Sequence, residues 1–266
     1  MSQDVVDEDD AADLGGEVRL GSMLFTLVEP HRGHEVAYNR WYETDHFYAG
    51  CLVGPWLFAG RRWVATRALK DLRFGSQPDI FGGVDLGSYL AVYWILDGRH
   101  DDHIEWALRQ VKWLHAHGRM FAERDHIHTL LYERAWSVRS AGSGPSPELA
   151  LDHPFGGLTA TLVELADDVT AAQLGEWVQT TYPPELEIGF TPIPLAADAP
   201  VTQQGLDNPD RRLMNLSFTR QSPAAWWDEQ RAAAARLERD GLGTMLWTAP
   251  FIPTVPGTDT YTDQLW

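Results

Sequence analysis

The pattern of apolar and polar positions divides the first part of the chain into short strands and helices. Strands are predicted where apolar and aromatic residues run together or alternate between Gly and Pro positions. Helices are predicted where apolar residues recur every three or four positions. The predicted strands are 23–30, 56–66, 88–96 and 125–137, and the predicted helices are 33–52 and 101–118. This order, β-α-β-β-α-β, is that of a ferredoxin-like unit.

The same pattern begins again beyond a stretch rich in Ser, Gly and Pro. The predicted elements of the second half are strands at 158–165, 213–219 and 243–249 and helices that begin at Thr170 and Pro223. One such unit leaves a sheet face uncovered, and two units packed sheet to sheet cover both faces. The sequence therefore predicts an α+β protein, in which two fused ferredoxin-like units form an α/β barrel.

Composition sets the predicted boundaries. Residues 1–18 are strongly acidic with almost no large apolar side chains, which predicts a disordered tail. Residues 140–156 have the composition of a linker, so the first unit spans 19–139 and the second spans 157–266. The glycine-rich segment 67–87 is predicted to be a long loop that acts as a lid.

Charge and cysteine content exclude several kinds of function. A formal net charge of −17 repels phosphate, so neither nucleic acid nor membrane is expected as a partner. Cys51 is the single cysteine, which rules out an internal disulfide and a multi-cysteine metal site. The acidic start lacks the features of a secretory signal, so a cytoplasmic location is expected. The expected partner is a small-molecule substrate, and fusion of two units removes the need for a homodimer without forbidding one.

The candidate chemistry lies in the first predicted helix. Tyr42, Asp45 and His46 are three and four residues apart, so on an α-helix they share one face or its edge. Imidazole titrates near neutral pH and can accept or donate a proton, while a neighbouring carboxylate raises its basicity. A phenol can polarise a carbonyl oxygen. This trio is therefore the predicted catalytic group.

These residues carry a resemblance to a known family. The helix motif Trp41-Tyr42-x-x-x-His46, followed by a strand that ends Gly60-Arg61-Arg62-Trp63, resembles the EthD-like members of the dimeric α/β-barrel superfamily. The resemblance implies a ferredoxin-like barrel with a pocket between the first helix and the inner sheet face, toward which His46 points. It also implies cofactor-free dehydration, decarboxylation or cyclisation of oxygenated aromatic or polyketide-like substrates.

The second half has lost the acid and base of this motif. If Trp177 aligns with Trp41, then Thr181 and Tyr182 take the positions of Asp45 and His46. Any chemistry is therefore expected in the first half.

Histidine positions bear on cofactors. Duplicated barrels of the chlorite dismutase, dye-decolorising peroxidase and aldoxime dehydratase kind also resemble this architecture, and they take an axial haem histidine from their second half. Here no histidine follows His153, which disfavours haem, although a haem held by the first half stays open. His126 and His128 alternate with Ile127 on a predicted strand and should share a face, either as pocket-lining residues or, with a carboxylate, as metal ligands. We expect no metal and no cofactor.

The leading hypothesis is a cofactor-independent lyase, cyclase or isomerase acting on a small apolar oxygenated substrate. His46 would be the proton shuttle, with Asp45 orienting it and Tyr42 polarising the substrate oxygen. The predicted substrate-binding residues are Trp41, Arg62, Tyr89, Tyr93, His126 and His128. The alternatives are a cofactor-free monooxygenase built on the same barrel and a non-catalytic barrel that binds a hydrophobic ligand.

Overall fold

The computed structural model describes residues 17–140, 144–182, 184–193 and 207–266. Within them, eight antiparallel strands close into one barrel in the order β1-β3-β2-β8-β5-β7-β6-β4. The strands are β1 (Leu20–Pro30), β2 (Leu57–Val64), β3 (Tyr89–Leu96), β4 (Arg124–Arg139), β5 (Gly157–Leu165), β6 (Leu186–Ile193), β7 (Arg212–Thr219) and β8 (Gly243–Pro253).

Helices cover the outer face of the barrel. The helices are α1 (Glu35–Trp41), a π-helix (Tyr42–Leu52), α2 (Arg67–Lys70), α3 (His100–Ala116), α4 (Ala171–Thr181) and α5 (Trp227–Arg239), with 3₁₀ turns at Pro147–Leu149, Pro209–Arg211 and Pro223–Trp226. The first four strands run in the order β4-β1-β3-β2, and the last four run as β8-β5-β7-β6. The predicted α+β class and the ferredoxin-like barrel are confirmed. Strand β6 was not predicted, because Gly189 and Pro192 interrupt its apolar pattern.

The barrel interior is a packed core. Large aromatic side chains with at most 1 % exposure fill it: Phe25, Trp63, Trp94, Phe190, Phe218 and Trp247. Small barrels fill their interiors with side chains in this way. The helices pack on the opposite, outer face of the sheet. The expectation of a pocket between the first helix and the inner sheet face is therefore wrong.

The two seams that join the halves differ in length. At one seam β4 pairs with β6 along Leu131–Arg139. At the other, β2 and β8 share only two residue pairs, Trp63 with Pro253 and Val64 with Ile252. The preceding part of β2 has no ladder with β8, and the chain opens there into a cleft.

The segment 67–87 closes one end of the barrel. The ring of Phe81, 2 % exposed, enters the core and lies 4.5 Å from His128 and 4.9 Å from Trp247. Arg73 fixes the segment by donating to the carbonyl oxygens of Val84, Leu86 and Gly87. The segment therefore plugs the barrel end, in place of the lid that was predicted for it.

The predicted tail and linker are described only in part. Residues 1–16 and 141–143 lie outside the described residues. The later part of the predicted linker belongs to the core, since Ala150, Leu151 and Phe155 are at most 3 % exposed. The predicted domain boundaries stay predictions. In the described part of the chain, no helix has the length and apolar character needed to cross a membrane.

Candidate functional site

The predicted first helix is present, but most of it is a π-helix. It begins as α1 and continues as the π-helix from Tyr42 to Leu52. In a π-helix each backbone N–H bonds to the carbonyl oxygen five residues earlier, where an α-helix uses the one four residues earlier. Such helices are frequent at functional sites. In this helix Tyr42 and His46 remain neighbours as the spacing predicted, whereas Asp45 bonds to a residue outside the helix.

His46 lies against an aromatic platform. Its ring stacks on Trp41, with 4.6 Å between ring centroids, and meets the edge of Tyr42 at 5.3 Å. The Nδ1 atom of His46 is buried and has no hydrogen-bond partner among the described residues. Burial, together with the positive charge of Arg124 and with His126, lowers the pKa of His46 to about 3. The imidazole is therefore neutral at physiological pH. The prediction that it titrates near neutral pH is wrong.

Asp45 does not orient His46. Its carboxylate accepts hydrogen bonds from Arg119, at 3.1 Å between Nε and Oδ2 and also through Nη2. A guanidinium carries a permanent charge and binds a carboxylate with two donors, so it outcompetes a neutral imidazole. Asp45 faces a surface groove of about 530 Å³ that also contains Tyr48 and Trp113. The predicted role of Asp45 is therefore corrected to an ion pair at this groove.

The hydroxyl group of Tyr42 is bound within the protein. It lies 3.0 Å from the hydroxyl of Tyr93, and both rings are buried. Burial raises the pKa of both phenols well above the usual value. Tyr93 and Tyr89 lie on the same, helix-covered face of β3. Tyr42 was predicted to polarise a substrate oxygen. In the structure its hydroxyl is instead bonded to the hydroxyl of Tyr93.

Arg62 is a buried cation beside these tyrosines. Its side chain is 4 % exposed, and Nη1 donates to Oδ1 of Asn39 at 2.9 Å and to Oε1 of Glu43 at 3.1 Å. The guanidinium lies 4.5 Å from the ring centroid of Tyr42 and 5.1 Å from that of Tyr89. Nη2 of Arg62 and the hydroxyl of Tyr89 are buried without partners among the described residues.

His126 and His128 do not share a face. The register of β1 with β4 slips between Leu27, which lies opposite His128, and Val28, which lies opposite His126. This β-bulge inserts Ile127 as an extra residue and breaks the alternation of side chains. The prediction of one shared face is therefore wrong.

The two histidines have separate environments. His128 lies in the barrel core, where Nε2 is 2.6 Å from the hydroxyl of Tyr132. His126 lies on the helix side, with Nδ1 2.9 Å from Oγ1 of Thr129. Within the described ranges, no group of three or more His, Cys, Asp or Glu side chains is arranged to hold a metal ion.

A cleft of about 230 Å³ opens at the short seam between β2 and β8. Its lining combines an apolar wall with charged groups: Glu43, Phe47, Tyr48, Gly60, Arg61, Arg62, Thr254 and Pro256. An apolar cavity of about 150 Å³ can hold benzene, so the cleft has room for a substituted single-ring compound. Of the predicted site residues, Arg62 lines this cleft.

Sequence reasoning missed Glu43. This residue lies inside the helix motif, but its partners come from elsewhere in the chain: Arg62 on β2 and the backbone N–H of Gly257, which donates to Oε2 at 2.9 Å. A buried arginine on a largely apolar strand requires an anionic partner, so Arg62 itself is the sequence signal for a carboxylate such as that of Glu43.

The residues of the second half do not fit a histidine-ligated haem. No histidine follows His153. In the described part of this half, the helix-covered face is closed by Val163, Leu174, Val178 and Leu237, each at most 1 % exposed. We therefore assign no step to haem.

Comparison with known proteins yields structural likeness only. No protein-family model matches the sequence, and no curated protein matches it. A candidate dyp-type peroxidase from Shewanella oneidensis is 8% identical, with 94% of this chain and 95% of that chain covered and a TM-score of 0.50. Chlorite dismutase from Candidatus Nitrospira defluvii is 9% identical, with 96% of this chain and 99% of that chain covered and a TM-score of 0.49. A candidate monooxygenase from Lactobacillus acidophilus is 8% identical, with 88% of this chain and 94% of that chain covered and a TM-score of 0.40. At such low identity, likeness speaks to fold alone, and this chain has the ferredoxin-like α+β barrel fold.

Proposed function

We propose that this protein is an enzyme that transfers a proton without a cofactor, as a lyase, cyclase or isomerase. Its substrate would be a small, largely apolar oxygenated compound of the aromatic or polyketide-like kind. We also propose that the two halves arose by duplication of one EthD-like unit. The repeated strand order supports this origin, and so does the separation of the tryptophans at 41 and 177.

One observation carries the proposal: a continuous row of buried polar side chains leads from His46 to the cleft. His46 contacts Tyr42, Tyr42 contacts the guanidinium of Arg62, and Arg62 contacts Tyr89, with centroid distances of 4.5 to 5.3 Å. His46, Arg62 and Tyr89 each keep one buried polar atom without a partner among the described residues. Unpaired polar atoms are costly to bury, and Arg62 brings one of them to the lining of the cleft, which favours a site that a substrate completes.

The proposed roles follow from the charge of each group. Arg62 would stabilise the negative charge that develops on a substrate oxygen when a neighbouring carbon loses its proton. The carboxylate of Glu43, which lines the cleft, would accept that proton. Tyr42, whose ring contacts His46, directs its hydroxyl to Tyr93, and His46 keeps its proposed role as a proton shuttle. Its lowered pKa makes it a poor resting base, so the proton would stay on it only briefly.

Hydrogen–deuterium exchange tests the function without knowledge of the natural product. The purified protein is incubated in D₂O with single-ring carbon acids such as acetophenone and its hydroxylated analogues, and proton NMR follows loss of the α-hydrogen signal. We expect catalysed exchange in the wild type and a loss of at least tenfold in Glu43→Gln. A similar loss in His46→Ala would support the shuttle. Ser140→Ala, remote from the cleft, serves as the matched control.

Parallel measurements separate the alternatives. Oxygen consumption with a phenolic substrate, in place of exchange, would favour the cofactor-free monooxygenase. Ligand binding without exchange or oxygen uptake across the panel would favour the non-catalytic barrel. Either result would overturn the proton-transfer proposal.

A further inference from the structure

The guanidinium of Arg62 is only partly neutralised. An arginine presents five N–H donors in a planar fork that matches the two oxygens of a carboxylate. In this structure Nη1 carries the bonds to Asn39 and Glu43, whereas Nη2 has no partner among the described residues. The rings of Tyr38, Tyr42 and Tyr89 lie 5.9, 4.5 and 5.1 Å from the guanidinium carbon, and the hydroxyl of Tyr38 also interacts with Arg62. One donor group of a buried cation is therefore left for a ligand.

Glu43 binds Arg62 through a single hydrogen bond. Only Oε1 approaches the guanidinium, through the single 3.1 Å bond to Nη1, while Oε2 accepts the N–H of Gly257. The pair lacks the two parallel bonds of a bidentate arginine–carboxylate contact, which is the stronger arrangement. A ligand with its own oxyanion can therefore compete with Glu43 for Nη1 while it also takes Nη2.

Arg61 also lines the cleft, but its guanidinium lies on the opposite face of β2 and already has partners. Its guanidinium donates to the backbone carbonyl oxygens of Leu151, His153 and Phe155 and lies 4.5 Å from the ring of Trp63. It thus ties the segment before β5 to the barrel. A new anion in the cleft would find free donor capacity on Arg62.

We propose that the substrate of this cleft is a single-ring compound with an anionic oxygen, which binds Arg62 and displaces Glu43. The proposal rests on the proposed function, because it names the class of substrate for the same site. The shared chemistry is an oxyanion on a flat apolar ring, from either a carboxylate or a phenolate. The apolar wall that includes Phe47 suits the ring, and the volume of about 230 Å³ limits its size.

Binding measurements with matched pairs of probes test the proposal. Benzoate is compared with benzamide, and 4-nitrophenolate at pH 8.5 with 4-nitroanisole, by isothermal titration calorimetry in low-chloride buffer. We expect at least one anion to bind the wild type ten times more tightly than its neutral match. The benzoate arm identifies a carboxylate and the nitrophenolate arm a phenolate. Arg62→Gln should abolish the preference. Arg40→Gln, which removes the same charge from an exposed position on α1, should keep it.

Glu43→Gln supplies a second test that leaves Arg62 in place. Removal of the competing carboxylate should tighten binding of the preferred anion about tenfold, because the ligand no longer has to displace a charge. If Arg62→Gln fails to fold, as judged by circular dichroism, this variant alone decides the matter. Equal affinity for each anion and its neutral match, or weaker anion binding in Glu43→Gln, would overturn the proposal.

The two proposals fail in different ways. Anion binding through Arg62 with no proton exchange on any probe would leave this inference standing and sink the proposed function. Exchange on neutral ketones that persists in Arg62→Gln would keep the function and reject Arg62 as the binding residue.

Discussion

A methyl group at Gly50 tests the position of His46. Gly50 lies in the π-helix, and its Cα faces the imidazole ring. A Cβ added at Gly50 would lie 2.7 Å from both Nδ1 and Cε1 of His46 and 3.2 Å from Nε2. The backbone of Gly50 does not require glycine, since its φ is outside the left-handed region. The steric contact with His46 therefore decides the effect of Gly50→Ala.

Whether Gly50→Ala raises or lowers the free energy of unfolding depends on whether the imidazole of His46 is present. Gly→Ala within a helix stabilises by about 1 kcal/mol when nothing interferes. Overpacking of a buried site costs about 1–3 kcal/mol. The stack of His46 on Trp41 leaves the ring little freedom to move away. We therefore expect Gly50→Ala to lower the free energy of unfolding by about 1–2 kcal/mol in the wild type, and to raise it by about 0.5–1 kcal/mol in a His46→Ala background.

A double-mutant cycle measures this reversal. Urea denaturation of the wild type, both single variants and the double variant gives four unfolding free energies, provided that the slope with urea is unchanged. The cycle isolates a coupling of about 2 kcal/mol between positions 46 and 50. Coupling near zero, or a stabilising Gly50→Ala in the wild type, would refute the placement of His46 against Gly50.

Three further predictions concern stability. His103 is 2 % exposed, and burial together with His100 lowers its pKa to about 4. In the unfolded chain His103 binds a proton near pH 6.5, whereas in the folded protein it does so only near pH 4. The free energy of unfolding should therefore fall by up to about 3 kcal/mol as the pH is lowered from 6.5 to 4. Urea titrations of His103→Gln should show a shallower fall, and an identical pH profile would contradict the assignment. Phe81→Ala should cost about 3–5 kcal/mol because it empties the plug, whereas a mobile lid would lose almost nothing in the same denaturation assay. Tyr132→Phe removes the 2.6 Å bond to His128 and should cost about 1–3 kcal/mol in thermal or urea unfolding, with no change expected if that bond is absent.

Local signals predicted the elements whose environment is simple. The run Tyr89–Leu96 is apolar on both faces, and β3 is buried almost throughout, between the barrel core and the helices. A helix was predicted to begin at Thr170, and this residue caps α4 with a reciprocal bond to Gln173 that completes the capping box. Arg61 and Arg62 lie on opposite faces of β2, as neighbours on a strand must. These outcomes depend on periodicity and on contacts within a few residues.

The candidate site was predicted less well because its geometry departs from regular spacing. Asp45, on the π-helix, bonds to Arg119 and not to His46, and the bulge at Ile127 separated His126 from His128. Neither irregularity has a marker in the local pattern. An argument from α-helical or strand spacing fails wherever one residue is added to a turn or to a ladder.

The sequence by itself determined the class of fold, most of the repeated order of elements and the segment proposed to carry the chemistry. Periodicity and composition act locally, so they can be read along the chain. Only the tertiary structure decided that Glu43 pairs with Arg62, that Arg119 takes the carboxylate of Asp45, and that His46 is buried as a neutral ring. These outcomes depend on partners 19 and 74 residues away and on the loss of water around each group. Such long-range contacts set charge state and hydrogen bonding, and no spacing along the chain records them.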